Sequence, residues 1–177
     1  MKKVLLGMTL TCFLLPSITF SQSSTAEQKL ITAGYLLFKE SNELKTLRSE
    51  LSEMIKKSKD LNELDNTTIC HITMLIENIF LVETICMYEG TLLGNIKNME
   101  ASKKLEFYKL HHVQLKKDIL NRLYLNYQST QTNISNIGDQ VTLQFADKAK
   151  QETQKTLRLI EEVIRILHHQ TSYGTSP

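Results

Sequence analysis

The first part of the chain repeats leucine with the period of a long helix. Leucines recur every seven residues from Leu30 to Leu51, and a second seven-residue series of apolar residues runs from Leu47 to Leu61. Steps of three and four residues alternate between the two series, which is the spacing of a coiled-coil seam. The pattern therefore predicts one long amphipathic helix that ends near Asn62.

Polar residues mark the starts of the first two helices. Ser24 and Glu27 have the spacing of a capping box, in which the serine accepts from the third helical amide and the glutamate reaches back to the cap. Asp65 or Asn66 is suited to cap a second helix. The sequence therefore predicts a short turn after the first helix.

The second segment is the most apolar of the four, so we expect it to form the most buried helix. Its inward stripe comprises Ile72, Leu75, Ile79, Val82, Cys86, Leu93 and Ile96. The strip expected to face water comprises Cys70, Thr73, Glu77 and Thr84. Gly90 and Gly94, four residues apart, either allow another helix to approach closely or mark a point where this helix bends or frays.

Two further helices follow. The third begins after a polar turn at 98–102, and its stripe comprises Leu105, Tyr108, His112, Leu115, Ile119, Leu120, Leu123 and Tyr127. The pattern fades over 128–139, which is rich in Ser, Thr, Asn and Gln. Asp139 is suited to cap the fourth helix, and residues 171–177 should form a loose tail. The stripe of the fourth helix includes Val141, Phe145, Ala149, Leu157, Ile160, Ile164 and Leu167.

These segments predict an all-α fold. No proline lies between Pro16 and Pro177, so long helices are permitted, and no strand pattern competes with them. Four amphipathic helices with short turns most simply form an up-down four-helix bundle, here a single domain over residues 22–170. We expect the long first helix to extend past the others, where its seam could bind a partner helix. An elongated hairpin assembly or an obligate oligomer is the alternative.

The N-terminus has the pattern of a secretory signal peptide. Lys2 and Lys3 precede the apolar run 4–15, which is shorter than the roughly 18 residues of a membrane anchor. Small residues at Thr19 and Ser21 predict cleavage after Ser21. We therefore expect a signal peptide over residues 1–21 and a soluble periplasmic or secreted protein without a second membrane span.

The charge of the mature chain argues against nucleic acid as a partner. Removal of residues 1–21 takes away two of the 21 basic residues and leaves 19 basic against 19 acidic residues. The acidic residues are interspersed among short basic clusters, whereas phosphate recognition requires a coherent positive surface. Protein partners or self-association fit this composition better.

Two cysteines and one histidine carry the candidate chemistry. Cys70 and Cys86 would lie about 24 Å apart on one helix, too far to form a disulfide with each other. We expect Cys70 to be the accessible thiol and to carry any intermolecular disulfide. If helices two and three form a hairpin, Cys86 lies at the level of His112 and near that of Glu43. Cys86 and His112 are weak candidates for a metal or reactive pair, and a buried thiol beside a core histidine is the simpler interpretation.

Other motifs of catalysis do not occur. The chain has no nucleophile elbow, glycine-rich phosphate loop or His-Glu-x-x-His motif. The histidine pairs at 111–112 and 168–169 are adjacent residues, which point about 100° apart on a helix. The sequence predicts a non-enzymatic protein without metal, cofactor or small-molecule substrate. A metal-binding bundle that uses His and Cys, and an enzyme of unrecognised type, are the rival hypotheses.

The layout of the chain resembles one bacterial class. A short basic signal that ends at Phe20-Ser21-Gln22 precedes a proline-free helical chain with heptad-like leucines from Leu30 to Leu61. This layout is similar to that of small periplasmic subunits of conjugation and type IV secretion systems, including minor pilus subunits with a helical body. The resemblance implies a surface or periplasmic assembly component, with no catalytic residues to carry over.

Overall fold

A computed structural model describes residues 25–61, 65–134 and 140–172, and these ranges are helical almost throughout, without a strand. The four predicted helices are present. They are α1 (Ala26–Leu61), α2 (Asn66–Gly94, followed by a 3₁₀ turn at Ile96–Asn98), α3 (Ala101–Gln114, a π-helical turn at Leu115–Ile119 and Leu120–Ile134) and α4 (Gln140–Ser172). The predicted signal peptide, the Asp139 cap and most of the predicted tail lie outside the described residues.

Side chains cap the first two helices. Asp65 is the N-cap of α2, and its Oδ1 accepts a hydrogen bond from the Thr68 amide at 2.8 Å. That bond lowers the pKa of Asp65. At α1, Thr25 Oγ1 accepts from the Gln28 amide at 3.2 Å. Thr25 thus supplies a cap one residue after Ser24, the predicted cap, which lies outside the described residues.

The predicted stripe of α2 is confirmed, and that of α1 is confirmed in part. Every residue of the inward stripe of α2 is buried, and the strip that runs from Cys70 to Thr84 is exposed. On α1 the predicted positions Leu30, Leu37, Leu44, Leu47 and Leu51 are fully buried, where α2 and α4 pack against the helix. Over these residues α2 and α4 cover the seam of α1, so it is not exposed there to a partner helix. Met54 is only partly buried, and the structure does not describe the side chain of Leu61.

The predicted stripe of α3 is wrong by one residue at its centre. His111 is buried where His112 was expected, and Leu105 is exposed. The π-helical turn then inserts an additional residue and shifts the phase of the helix. After this turn the buried positions include Asn126 and Thr130, so polar residues complete the inward face.

The predicted stripe of α4 is only partly right. Ala149, Leu157, Ile160 and Leu167 are buried as expected, but Phe145 and Ile164 are only partly buried. The structure does not describe the side chain of Val141. The buried face also includes Thr142, Ala146, Glu152, Thr153, Thr156 and Val163. Small and polar residues therefore form much of the N-terminal half of this face, which an apolar pattern does not reveal.

Two glycines let α1 and α2 approach closely. A Cβ at Gly90 would lie 2.8 Å from the carbonyl oxygen of Gly34 and 2.9 Å from the amide nitrogen of Phe38. A Cβ at Gly94 would meet nothing within 4 Å. A Cβ at Gly34 would lie 3.0 Å from both the Gly90 carbonyl oxygen and the Gly94 amide nitrogen, so α1 approaches both glycines. Of these two, only Gly90 has no room for a side chain of its own.

Candidate functional site

A buried acid and a buried histidine meet between α2 and α3. Glu89 and His111 are 0% and 2% exposed, and Glu89 Oε2 lies 2.8 Å from His111 Nε2. The ring of Phe107 stacks on that of His111, with centroids 5.0 Å apart. The distance is that of a close ion pair, although no described donor is aligned to hydrogen-bond either Glu89 oxygen. Both side chains are therefore shielded from water, and each offsets the free-energy cost of burying the other.

Cys86 lies one turn from Glu89 on the same buried face. Its Sγ lies 3.2 Å from Thr156 Oγ1 of α4. Burial raises the pKa of the Cys86 thiol to about 12, with the charges of Glu40 and Glu89 acting in the same direction and the Thr156 hydrogen bond acting against it. Since the thiolate is the reactive form, this cysteine is a weak nucleophile at neutral pH.

The predicted partner of Cys86 contacts another residue. His112 is half-buried, and its ring lies 5.5 Å from that of His168, centroid to centroid. Burial lowers the pKa of His112, and the neighbouring His168 and Lys116 lower it further. The hydrogen bond of Cys86 thus goes to Thr156, while His112 faces α4 at His168.

The two cysteines should differ sharply in reactivity. Cys70 is exposed and Cys86 is buried, and neither forms a disulfide in the described chain. We expect an alkylating reagent to modify Cys70 in the native protein and Cys86 only after unfolding. Mass spectrometry of tryptic peptides over time measures both rates, and Cys70→Ser should remove the fast phase. Equal rates in the native state would contradict the burial of Cys86.

A second polar cluster joins α1 to α4. Glu40 and Glu152 are nearly buried, and their carboxyl groups share a hydrogen bond. Lys155 Nζ donates to Glu152 Oε2 at 2.6 Å. Burial, followed by the hydrogen bond and the charge of Glu152, raises the pKa of Glu40 from its ordinary value of 4.5 to about 8. Burial also opposes ionisation of Glu152, but its hydrogen bonds to Glu40 and Lys155 outweigh this effect and lower its pKa.

This cluster should make stability depend on pH. The pKa of Glu40 is higher in the folded chain, so between pH 4.5 and about 8 the folded state binds more protons than the unfolded state. The contribution of Glu40 is therefore fully present below pH 4.5 and is lost as the pH rises through about 8. We expect the thermal midpoint to fall over this window by on the order of a few degrees relative to Glu40→Gln. Parallel midpoint profiles for the two proteins would contradict this.

A surface cavity of about 330 Å³ opens beside the cluster. It is lined by Leu36, Lys39, Glu40, Glu43, Lys155, Arg158 and Leu159. Glu43 is exposed at its edge, and one carboxylate oxygen of Glu43 lies within 4.8 Å of one oxygen each of Glu40 and Glu152. The structure thus gathers three carboxylates at one place.

The residues that sequence reasoning missed had a detectable signal. Glu40 continues the seven-residue series of Leu47 and Leu61 by one step towards the N-terminus. Glu89 falls between Cys86 and Leu93, on the same inward stripe. Counting helical positions without regard to residue type would have placed both acids inside. Glu152 has no comparable signal, because its neighbours on α4 are threonine and alanine.

The outer side of the α1–α2 pair exposes large apolar side chains. Tyr35 and Phe38 of α1 and Phe80 and Met87 of α2 are 69%, 46%, 54% and 50% exposed. We call these four residues the outer seam. Arg48 lies over the Phe80 ring at 5.2 Å and pairs through its Nε with Glu83 Oε2 at 2.7 Å. Aromatic, methionine and arginine side chains are the types enriched at protein interfaces.

The segment Asn66–Asn98 is long and apolar enough to cross a membrane, by length and composition alone. The expectation from the sequence, that there is no second apolar segment of this length, is wrong, because α2 meets the length and hydropathy requirements of a membrane span. A core helix passes the same test, and α2 packs against the other three helices and carries the fully buried Glu89. Only 33% of its most apolar 18-residue window is buried, so packing inside the bundle accounts for part of its apolar character.

Comparison with known proteins identifies no relative. No protein-family model, no curated protein and no solved structure matches the chain. Function has to be argued from the geometry described above.

Proposed function

We propose that the protein is a non-enzymatic helical bundle outside the cytoplasm that binds a partner protein through the outer seam. The single observation that carries this proposal is the exposure of four large apolar side chains, Tyr35, Phe38, Phe80 and Met87, on two helices that pack closely together. Exposed apolar residues that cluster, rather than scatter singly, are typical of interaction sites. The proposed partner belongs to an envelope or conjugation assembly.

The proposed arrangement of the helices is up-down-up-down. In neighbouring antiparallel helices, residues further along one helix contact residues earlier in the other, and several residue pairs follow this order. Between α1 and α2 they are Gly34 with Gly90 and Arg48 with Glu83. Between α2 and α3 they are Asn78 with Ser129 and Glu89 with His111. Between α3 and α4 they are His112 with His168 and Tyr124 with Glu161. In such a bundle, α1 and α2 would present the outer seam as one face.

The proposed location is the periplasm or the cell exterior, after cleavage near Ser21. The basic residues Lys2 and Lys3 and the apolar run 4–15 support this proposal. Mass spectrometry of the protein from its native cell measures the N-terminus, and we expect Gln22. An intact Met1 in the cytoplasmic fraction would contradict export.

The binding proposal predicts a selective loss of partner. Phe80→Ser combined with Met87→Ser should keep the helical circular dichroism spectrum but reduce the co-purified partner at least tenfold. The control is Leu110→Ser, which removes a still more exposed apolar side chain from α3 and should retain the partner. Equal recovery with both proteins would show that the outer seam is not the binding surface.

A further inference from the structure

The structure brings together three acids from two helices. Glu40 and Glu43 lie three residues apart on α1, a spacing that places side chains on one face of a helix. α4 brings Glu152 against them, so that one oxygen of each acid lies within 4.8 Å of the other two. We call Glu40, Glu43 and Glu152 the carboxylate cluster.

One oxygen within the cluster is both buried and without a hydrogen-bond donor. Glu40 is 8% exposed, and its Oε1 is shielded from solvent with no described donor in reach. A buried carboxylate oxygen without a partner is costly. A cation shared with the two neighbouring carboxyl groups would compensate this oxygen and would take the place of the proton in the hydrogen bond between Glu40 and Glu152.

We propose that the carboxylate cluster binds one hard divalent cation and that Ca²⁺ fits it best. All the ligand atoms are oxygens, which Ca²⁺ and Mg²⁺ prefer over softer metals. Two oxygens on one ion lie at most twice the metal–oxygen distance apart, which is about 4.6–5.2 Å for Ca²⁺ and about 4.0–4.2 Å for Mg²⁺. The three oxygens lie within 4.8 Å of one another, and this limit alone does not distinguish the two ions. Three carboxylates favour Ca²⁺, because Mg²⁺ requires near-ideal octahedral geometry, keeps several waters and is usually held by one or two carboxylates. The exposed Glu43 and the adjoining cavity leave room for water as the remaining ligands.

Lys155 holds a positive charge at the same place. Its ammonium group lies 2.6 Å from Glu152 Oε2, but its side chain is 52% exposed. It can therefore swing into solvent when a cation binds. Lys155 is thus a competitor of the ion, and Lys155→Met should bind Ca²⁺ several-fold more tightly than the unaltered protein.

Calorimetric titration of the chelator-treated protein with CaCl₂ at one fixed pH tests the proposal. We expect one site with a dissociation constant on the order of 10⁻⁴–10⁻³ M, the range of extracellular calcium modules. Glu40→Gln and Glu152→Gln should each weaken binding at least tenfold. Glu43→Gln changes an exposed residue and should weaken it several-fold without affecting the fold. The matched control Glu50→Gln, an exposed acid on α1, should bind as the unaltered protein does.

Three results would overturn the proposal. The first is no saturable binding by the folded protein up to about 10 mM CaCl₂, well above the expected range. The second is unchanged affinity in Glu40→Gln, Glu152→Gln and Glu43→Gln. The third is an equal loss in Glu50→Gln, which would indicate diffuse attraction to surface charge. Tighter binding of MgCl₂ in a parallel titration would overturn the assignment of calcium.

Discussion

Replacing Gly90 by leucine should destabilise the protein by about 3 kcal/mol or more. The new Cβ would meet backbone atoms of Gly34 and Phe38 at 2.8 and 2.9 Å, and backbone in a helix does not yield as a flexible side chain does. The helices α1 and α2 would have to separate along the contact that supports the outer seam. Gly90→Ala should cost about 1–2 kcal/mol, despite the better helix propensity of alanine.

Gly94 provides the matched control for this prediction. The same changes at Gly94 place the side chain where nothing lies within 4 Å. Gly94→Ala should therefore be neutral or stabilise the helix by up to about 1 kcal/mol. Urea unfolding followed by circular dichroism measures all the variants, and similar losses at Gly90 and Gly94 would contradict the close approach of α1 and α2.

Replacing His111 by leucine should cost about 3–5 kcal/mol, because it leaves Glu89 buried without a partner. His112→Leu is the matched control, since this neighbouring histidine is only half-buried and packs against His168. We expect the control to cost about 1 kcal/mol or less.

The double variant Glu89→Leu with His111→Leu isolates the cause of that loss. Removal of both side chains leaves no acid buried without a partner. The double variant should therefore recover most of the free energy of unfolding that His111→Leu alone loses. The free energies of unfolding of the four proteins form a double-mutant cycle. Additive losses would show that Glu89 and His111 do not depend on each other.

Much of the helical architecture could be predicted from the sequence. The apolar period located four helices and the buried stripe of α2, because in those regions the core positions are apolar. The polar residues Asp65 and Asn66 marked the start of α2, and Asp65 is the cap. The apolar period predicted the wrong inward positions where the core is polar or where the helix is irregular. The histidine at 111 rather than 112 faces inward on α3, and the π-helical turn at Leu115–Ile119 shifts the pattern beyond it.

The interior acids were harder to predict because an apolar stripe is identified by the residues that avoid water. Glu40 and Glu89 occupy inward positions by spacing but are acidic, so a search for apolar residues passes over them. Their partners, Glu152 and His111, come from other helices. Which side chains meet depends on helix packing across the bundle, and a single sequence does not contain that information.

Photo-crosslinking in the native cell tests the proposed binding surface most directly. A photoreactive amino acid replaces Met87 in the outer seam, and the control places it at Leu110 on α3, which is also exposed. The account predicts a crosslink from position 87 to one specific protein and none of comparable yield from position 110. Crosslinks from position 87 to lipid alone, or equal yields from both positions, would contradict the binding of a partner protein at the outer seam.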